Sequence, residues 1–213
     1  MLAVQAFRCI GITQVSAGAV AGQAATVVPA TCILYQIAAQ GAEVANLGTG
    51  HLAGSRRPDL GLLGGHQVDA GVPVVVHCGH GPVPGAHTGL DVFEDVLRRH
   101  PSLVAVLAHA GMPDYLGALD LVARYPGVHV DTTMVGVPFT QARAALPADW
   151  AARLVDVADR VVLGSDFPNI PYDYSEQLDA IRGWAAADDR LGEPFLRAVL
   201  HDNGARLLGI SPG

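Results

Sequence analysis

The chain has 213 residues, half of them hydrophobic, and a net charge of -7 from 13 basic and 20 acidic side chains. This length and composition predict a chain with one sizeable core and exclude intrinsic disorder. No basic run is longer than two arginines, so nucleic-acid binding is not expected. All basic residues are arginine, which excludes chemistry that needs a lysine, such as a Schiff base or a carboxylated lysine bridging two metals.

The three cysteines indicate a reducing compartment. Cys9, Cys32 and Cys78 are odd in number and have no CxxC spacing, so neither a disulfide framework nor a zinc ribbon is expected. No window reaches the roughly 18 uninterrupted apolar residues that a membrane span needs. We therefore expect a cytoplasmic protein that does not enter a membrane.

The chain changes in character near "SRRPDLG" (55–61). Residues 1–59 form a low-charge segment rich in small residues, in which only 7–15 and 26–38 resemble strands. Its periodicity assigns no structure to the rest of the segment. We treat residues 1–59 as one unit and residues 60–213 as a second, regularly patterned unit.

Strands and helices alternate from residue 60 onward. Apolar, β-branched runs predict strands at 73–77, 103–109, 128–133 and 160–166. Unlike half-buried strands, these runs are apolar on both faces, which is typical of a parallel sheet covered on both sides. A repeat near thirty residues predicts right-handed βαβ units in an open sheet or a closed barrel.

Helical patterns fill the intervals between the predicted strands. The expected helices cover 89–99, 113–125, 148–158, 173–186 and 193–208. Thr88 with Asp91 predicts a capping box for the first helix, Pro113 the start of the second, and Asp173 with Glu176 the start of the fourth.

His77, His109, Asp131 and Asp166 follow the four apolar runs and are 32, 22 and 35 residues apart. Because the carboxyl ends of parallel strands meet at one edge, these side chains are expected to converge. Two imidazoles and one or two carboxylates would suit zinc or a similar divalent ion with an activated water. A single such histidine is more often structural, but the repetition favours a functional cleft. Asp131 is the weakest member, since "DTT" can cap a turn.

Other histidines and Cys78 have less defined roles. His80 and His87 lie in the loop "GHGPVPGAHTG", where they either contact substrate or are simply solvated. Asp131 is grouped with them as a substrate-binding candidate. Cys78 lies on the opposite strand face from His77 and is expected to be a small core residue.

Four motifs carry a family resemblance: "VVVHCGHGPVPGAHTG", "AHAGMPDYLGALDLVARYPGVHVDTT", "RVVLGSDFPNIPY" and "LRAVLHDNGARLLGI". Residues 60–210 resemble the second half of a metal-dependent hydrolase of the amidohydrolase superfamily, in the branch that also contains non-oxidative decarboxylases. The resemblance implies a (β/α)8 TIM barrel in which these strands are the fifth to the eighth. It implies that His77 is a metal ligand, that His109 is a proton shuttle or further ligand, and that Asp166 contacts the metal and accepts the proton of its water.

The family's His-x-His pair on the first strand has no counterpart in the N-terminal region. His77 and Asp166 alone would give a metal fewer than the usual three protein ligands. We therefore expect an incomplete barrel: a truncated or mis-started chain, a chain that completes its site by homo-oligomerising, or an inactive remnant.

The expected function is hydrolysis of a C–N or C–O bond in a small carbonyl substrate by metal-activated water. The expected cofactor is one divalent ion, zinc or else manganese. A non-oxidative decarboxylase on the same scaffold and a catalytically inactive half-barrel are the alternatives that the sequence leaves open.

Overall fold

The structure is a computed structural model that describes residues 34–36, 73–78, 89–168 and 170–210, with only the backbone for the first of these ranges. Most of the N-terminal segment, 1–59, lies outside the described residues. His80 and His87 also lie outside them, so both stay predictions.

The described strands form one five-stranded sheet. They are β1 Leu34–Gln36, β2 Val74–Val76, β3 Ala105–Leu107, β4 Val128–Asp131 and β5 Val161–Val162. The order in the sheet is the chain order, with β2 to β5 parallel and β1 antiparallel to β2. Parallel strands that neighbour each other in chain order, without the reversal of an open doubly wound sheet, are typical of a barrel. This confirms the predicted α/β fold of TIM-barrel type.

Helices cover the sheet at each of the predicted intervals. They are α1 Leu90–Arg99, α2 Tyr115–Arg124, α3 Pro138–Gln141, α4 Trp150–Val155, α5 Tyr174–Ala187, α6 Gly192–Arg197 and α7 Asn203–Leu207. The predicted last helix is one run in which a π-helical turn, Ala198–Asp202, joins α6 to α7. The short α3 was not predicted, because its four residues are too few to show a period.

Two helix starts differ from the prediction. Helix α1 begins after Gly89, one residue later than a start capped by Thr88 would give, and Thr88 itself lies outside the described residues. Helix α2 begins after Asp114 rather than at Pro113, because the Asp114 carboxylate accepts a backbone N–H of the first turn at 3.1 Å. Asp173 precedes α5 as predicted, although its side chain makes no cap hydrogen bond.

The two faces of the sheet carry two apolar clusters. The larger packs the outward side chains of the strands, Cys78 included, against the helices. The smaller, on the inner face, consists of Val75, Val106, Ala108 and Val162 with Leu207 packed against it. Cys78 is a core residue, as predicted, and strand alternation directs His77 to the inner face with Val75.

No helix within the described residues is long and apolar enough to cross a membrane.

Candidate active site

Two predicted histidines meet at the carboxyl edge of the sheet. His77 follows β2 directly, and His109 lies in the turn after β3. Their ring centroids are 4.9 Å apart, with the planes at 78°. Residues 32 positions apart in the chain are thus brought into contact, as the parallel arrangement predicts.

The turn that presents His109 has an unusual backbone. His109, Ala110 and Gly111 all adopt left-handed conformations, with φ of 56°, 47° and 71°. For a residue other than glycine this conformation costs about 1–3 kcal/mol and is concentrated at functional sites. Strand β3 consequently ends at Leu107, so the prediction that the strand continues to His109 is wrong.

His109 is an uncharged imidazole in this environment. Burial lowers its pKa to about 4, and a hydrogen bond to the Thr133 carbonyl opposes that shift only in part. A carbonyl oxygen can only accept, so Nδ1, which lies 3.1 Å from it, carries the ring proton. The basic lone pair of the ring is then on Nε2, which suits a proton acceptor or a metal ligand.

Asp131, the last residue of β4, is almost fully buried beside these rings. Its Oδ1 accepts the backbone N–H of His109 at 2.9 Å and that of Thr133 at 3.0 Å. Burial raises the pKa of Asp131, whereas these hydrogen bonds and the nearby His77 lower it. The bond to Thr133 is the turn cap that "DTT" suggested, and a substrate-binding role for Asp131 stays a prediction.

Asp166 reaches the same edge through a loop rather than at a strand end. Strand β5 ends at Val162, so the strand predicted through Asp166 is wrong. The Thr132 hydroxyl accepts from the Gly164 N–H and donates to the Gly164 carbonyl, both at 3.0 Å, and ties the loop to β4. Asp166 itself is buried and left-handed, with φ of 56°.

Tyr172 is a site residue that the sequence patterns did not single out. Burial and the neighbouring Asp166 charge raise the pKa of its hydroxyl. That hydroxyl oxygen is buried with no hydrogen-bond partner among the described residues, and the Tyr172 ring packs 6.2 Å from the ring of Phe139. A buried hydroxyl beside a carboxylate is suited to contact a ligand. The aromatic residues of "FPNIPY" after the fourth apolar run are the signal that could have indicated it.

The donor atoms are of the kind that zinc prefers, but the described side chains are not arranged around a common metal position. Two imidazoles and two carboxylates are available at this edge. Within the described ranges, however, no group of three or more His, Cys, Asp or Glu side chains is arranged to hold a metal ion. The described part of the chain therefore does not complete a metal site.

Of the other histidines that the structure describes, His129 and His201 lie away from this cluster. His129 shares the inner-face alternation with Asp131, but it lies toward the amino end of β4, where its Nδ1 contacts the Gly127 carbonyl at 3.2 Å. His201 pairs with Asp202 on the surface at 2.7 Å.

Comparison with known proteins indicates a family and supports the fold. The amidohydrolase family model matches residues 67–210. A TIM-barrel protein of Bordetella bronchiseptica superposes with a TM-score of 0.52 at 23% identity, over 70% of this chain and 49% of its own. A putative 2-pyrone-4,6-dicarboxylic acid hydrolase of Pseudomonas putida superposes with a TM-score of 0.51 at 19% identity, over 75% and 61%.

A third structure, an amidohydrolase of Burkholderia multivorans with bound zinc, has a TM-score of 0.41 at 22% identity, over 57% of this chain and 49% of its own. The chain thus spans about half the length of several solved structures that it matches. No curated protein sequence matches it.

Proposed function

Because the chain belongs to the amidohydrolase family, we propose that its carboxyl-edge site hydrolyses a C–N or C–O bond of a small carbonyl compound with the help of a divalent metal ion. Family membership supports a metal-dependent hydrolase type of function in general. The observation that carries the proposal is the contact of His77 with His109 beside the buried Asp131. Buried polar groups cost stability, so their concentration at this edge supports a catalytic role.

The side chains can bind and move protons. Neutral His109 can accept a proton at Nε2 and return it to a leaving group, which is worth about 10²- to 10⁴-fold in rate. In the proposed reaction Asp166 takes the proton of the attacking water, His109 passes that same proton on to the leaving group, and Tyr172 donates a hydrogen bond to the substrate. His80 and His87 remain candidates for substrate contact.

The metal part of the proposal requires ligands beyond the described residues. When bound, a divalent ion supplies a Lewis acid that polarises a carbonyl and acidifies water. Zinc is the first candidate for the imidazole and carboxylate groups of His77 and Asp166, and manganese the second. Since catalytic zinc sites have about three protein ligands, the others would come from outside the described residues or from a second copy of the chain in a homo-oligomer.

The substrate class is a starting point for the test. The Pseudomonas putida neighbour is named for a pyrone, which is an unsaturated lactone. Lactones are therefore the first class to assay, followed by amides and cyclic imides.

The test combines metal content with hydrolysis. The purified chain is loaded with zinc or manganese, dialysed, and analysed for metal and for hydrolysis of the panel. We expect stoichiometric metal, turnover of at least one substrate, and loss of turnover in Asp166→Asn.

Asp159→Asn is the matched control, because Asp159 is an exposed carboxylate in the turn before β5, at the opposite end of the sheet. It should leave both properties unchanged. Absence of stoichiometric metal, or equal activity in Asp166→Asn and wild type, would overturn the proposal.

A further inference from the structure

The Asp131 carboxylate acts on His109 by two routes. Its Oδ1 accepts the backbone N–H of His109 at 2.9 Å. The same oxygen accepts the backbone N–H of Thr133 at 3.0 Å, and the carbonyl of Thr133 accepts the His109 Nδ1–H at 3.1 Å. One oxygen atom thus holds both the backbone of His109 and, through Thr133, its ring.

The first route supports a strained backbone. His109 and Ala110 have φ of 56° and 47°, a left-handed conformation that side chains disfavour. A buried acceptor aimed at the His109 N–H stabilises this turn, because a buried N–H without a partner is costly. Without this hydrogen bond, we expect the turn to relax toward an ordinary backbone conformation.

The second route selects the ring tautomer. The two neutral tautomers of imidazole differ in which nitrogen bears the proton, and the hydrogen bond to one nitrogen decides it. Thr133 can hold Nδ1–H only while its carbonyl stays in place, and its own N–H is fixed by Asp131. The position of Asp131 therefore determines that Nε2 bears the lone pair.

Crowding prevents Asp131 from swinging toward a substrate. A Cβ at Gly164 would lie 3.0 Å from the Asp131 Cγ and 2.2 Å from the Thr133 Oγ1, so the backbone of Gly164 already packs closely against both side chains. Asp131 is only 2% exposed. Its Oδ1 is committed to two amides.

We propose that Asp131 is a positioning residue that fixes the backbone and the ring tautomer of His109, rather than a substrate contact. Its relevance to catalysis rests on the proposed function, but its effect on the ring does not. The amide oxygen of asparagine could accept the same two N–H bonds, whereas alanine could accept neither. The role therefore depends on an acceptor atom and not on the negative charge.

The test is the tautomer of His109 in Asp131→Asn and Asp131→Ala. Two-bond ¹H–¹⁵N spectra of ¹⁵N-histidine-labelled, metal-free protein at neutral pH report the protonated nitrogen of each ring, and His109→Gln assigns the signal. We expect the Nδ1–H form in wild type and Asp131→Asn, and a mixture with Nε2–H in Asp131→Ala. Asp159→Ala is the control and should match wild type.

Kinetics with a hydrolysed substrate provide a second measurement. A displaced His109 should lower kcat of Asp131→Ala on the order of 10- to 100-fold and leave KM nearly constant, whereas loss of a substrate contact would raise KM. Failure to find a substrate would leave the tautomer result intact, so the two proposals can fail separately.

The proposal is overturned if folded Asp131→Ala keeps a pure Nδ1–H ring, or if Asp131→Asn loses it. Should Asp131→Ala not fold, Asp131→Asn alone decides, since loss of the Nδ1–H signal there would show that the charge and not the acceptor is needed.

Discussion

The carboxyl and amino edges of the parallel sheet differ in backbone conformation and in buried polar groups. At the carboxyl edge, His109, Ala110 and Asp166 are left-handed and the carboxylate of Asp131 is buried. At the amino edge, short turns such as the one that brings the Leu103 N–H to the His100 carbonyl at 3.0 Å lead into the strands with ordinary hydrogen bonds. Strain and buried charge do not help a chain fold. Among the described residues both lie at the carboxyl edge, which is the edge that carries the active site in TIM barrels.

Two histidines, one near each edge, allow the two edges to be compared directly. His109 at the carboxyl edge and His129 toward the amino edge both place Nδ1 near a backbone carbonyl, at 3.1 and 3.2 Å. Burial is the main cause that lowers the pKa of each. They differ in their neighbours: His109 contacts His77, whereas the charges of Arg160 and Asp159 act on the pKa of His129. His129 is thus an internal control for His109.

The largest expected effect comes from replacing each of these histidines by glutamine. His109→Gln should reduce kcat by about 10²- to 10⁴-fold, because an amide cannot accept and return a proton. His129→Gln should leave kcat within about threefold of wild type. Steady-state kinetics on a substrate from the hydrolysis panel measure both. Equal losses in the two variants would remove the functional distinction between the edges.

The stability of the chain should fall in acid because of His109. Its pKa is about 4 in the folded chain against 6.5 in the unfolded one, so between these values the unfolded state binds more protons. The contribution is complete above pH 6.5 and is lost as pH falls toward 4, by up to about 1.4 kcal/mol per pH unit. Asp131, whose pKa burial raises, acts in the opposite direction.

Urea unfolding of wild type and His109→Gln across that pH range isolates the effect of His109. The free energy of unfolding should decline more steeply toward acid in wild type. Parallel curves would show that His109 is not held neutral in the folded chain.

Glycines test whether crowding is specific to the carboxyl edge. In Gly164→Ala the new Cβ would meet the Thr133 Oγ1 at 2.2 Å, and we expect a loss of about 1–3 kcal/mol. In Gly183→Ala the new Cβ on α5 would meet nothing within 4 Å, and we expect a gain of about 0.5–1 kcal/mol. Urea midpoints measure both changes. Opposite signs are the expected outcome, and destabilisation by Gly183→Ala would contradict it.

The apolar runs and their spacing predicted the strands, the parallel sheet and the meeting of His77 with His109, because burial on both faces leaves a clear pattern. They did not predict the ends of β3 and β5. Left-handed turns at His109 and Asp166 arise from contacts with residues far along the chain, such as Asp131 with His109. No local propensity reports such contacts.

The role of Asp131 shows the same limit in the site. Sequence alone left it between a turn cap and a substrate contact. In the structure one oxygen caps the turn at Thr133 and also holds His109, which comes from another βα unit. The sequence did not predict Tyr172, because the proximity of Tyr172 to Asp166 depends on how the loop between them folds. The composition of that loop does not determine its fold.

The smallest expected effect is a difference in KM and stability between variants of two tyrosines. Within the described part of the chain, the Tyr172 hydroxyl at the carboxyl edge has no hydrogen-bond partner, whereas Tyr125 on the helical side donates to Glu94 at 3.1 Å. If Tyr172 serves the substrate, Tyr172→Phe should raise KM about 3- to 10-fold, the value of one hydrogen bond, without loss of stability. Tyr125→Phe should instead cost about 0.5–1.5 kcal/mol of stability and leave KM unchanged. If the two tyrosines have these different roles, kinetics and urea unfolding will show a changed KM only in Tyr172→Phe and a changed stability only in Tyr125→Phe. A loss of stability in Tyr172→Phe with constant KM would instead show that the Tyr172 hydroxyl is structural. The carboxyl edge would then not differ from the helical side at this residue.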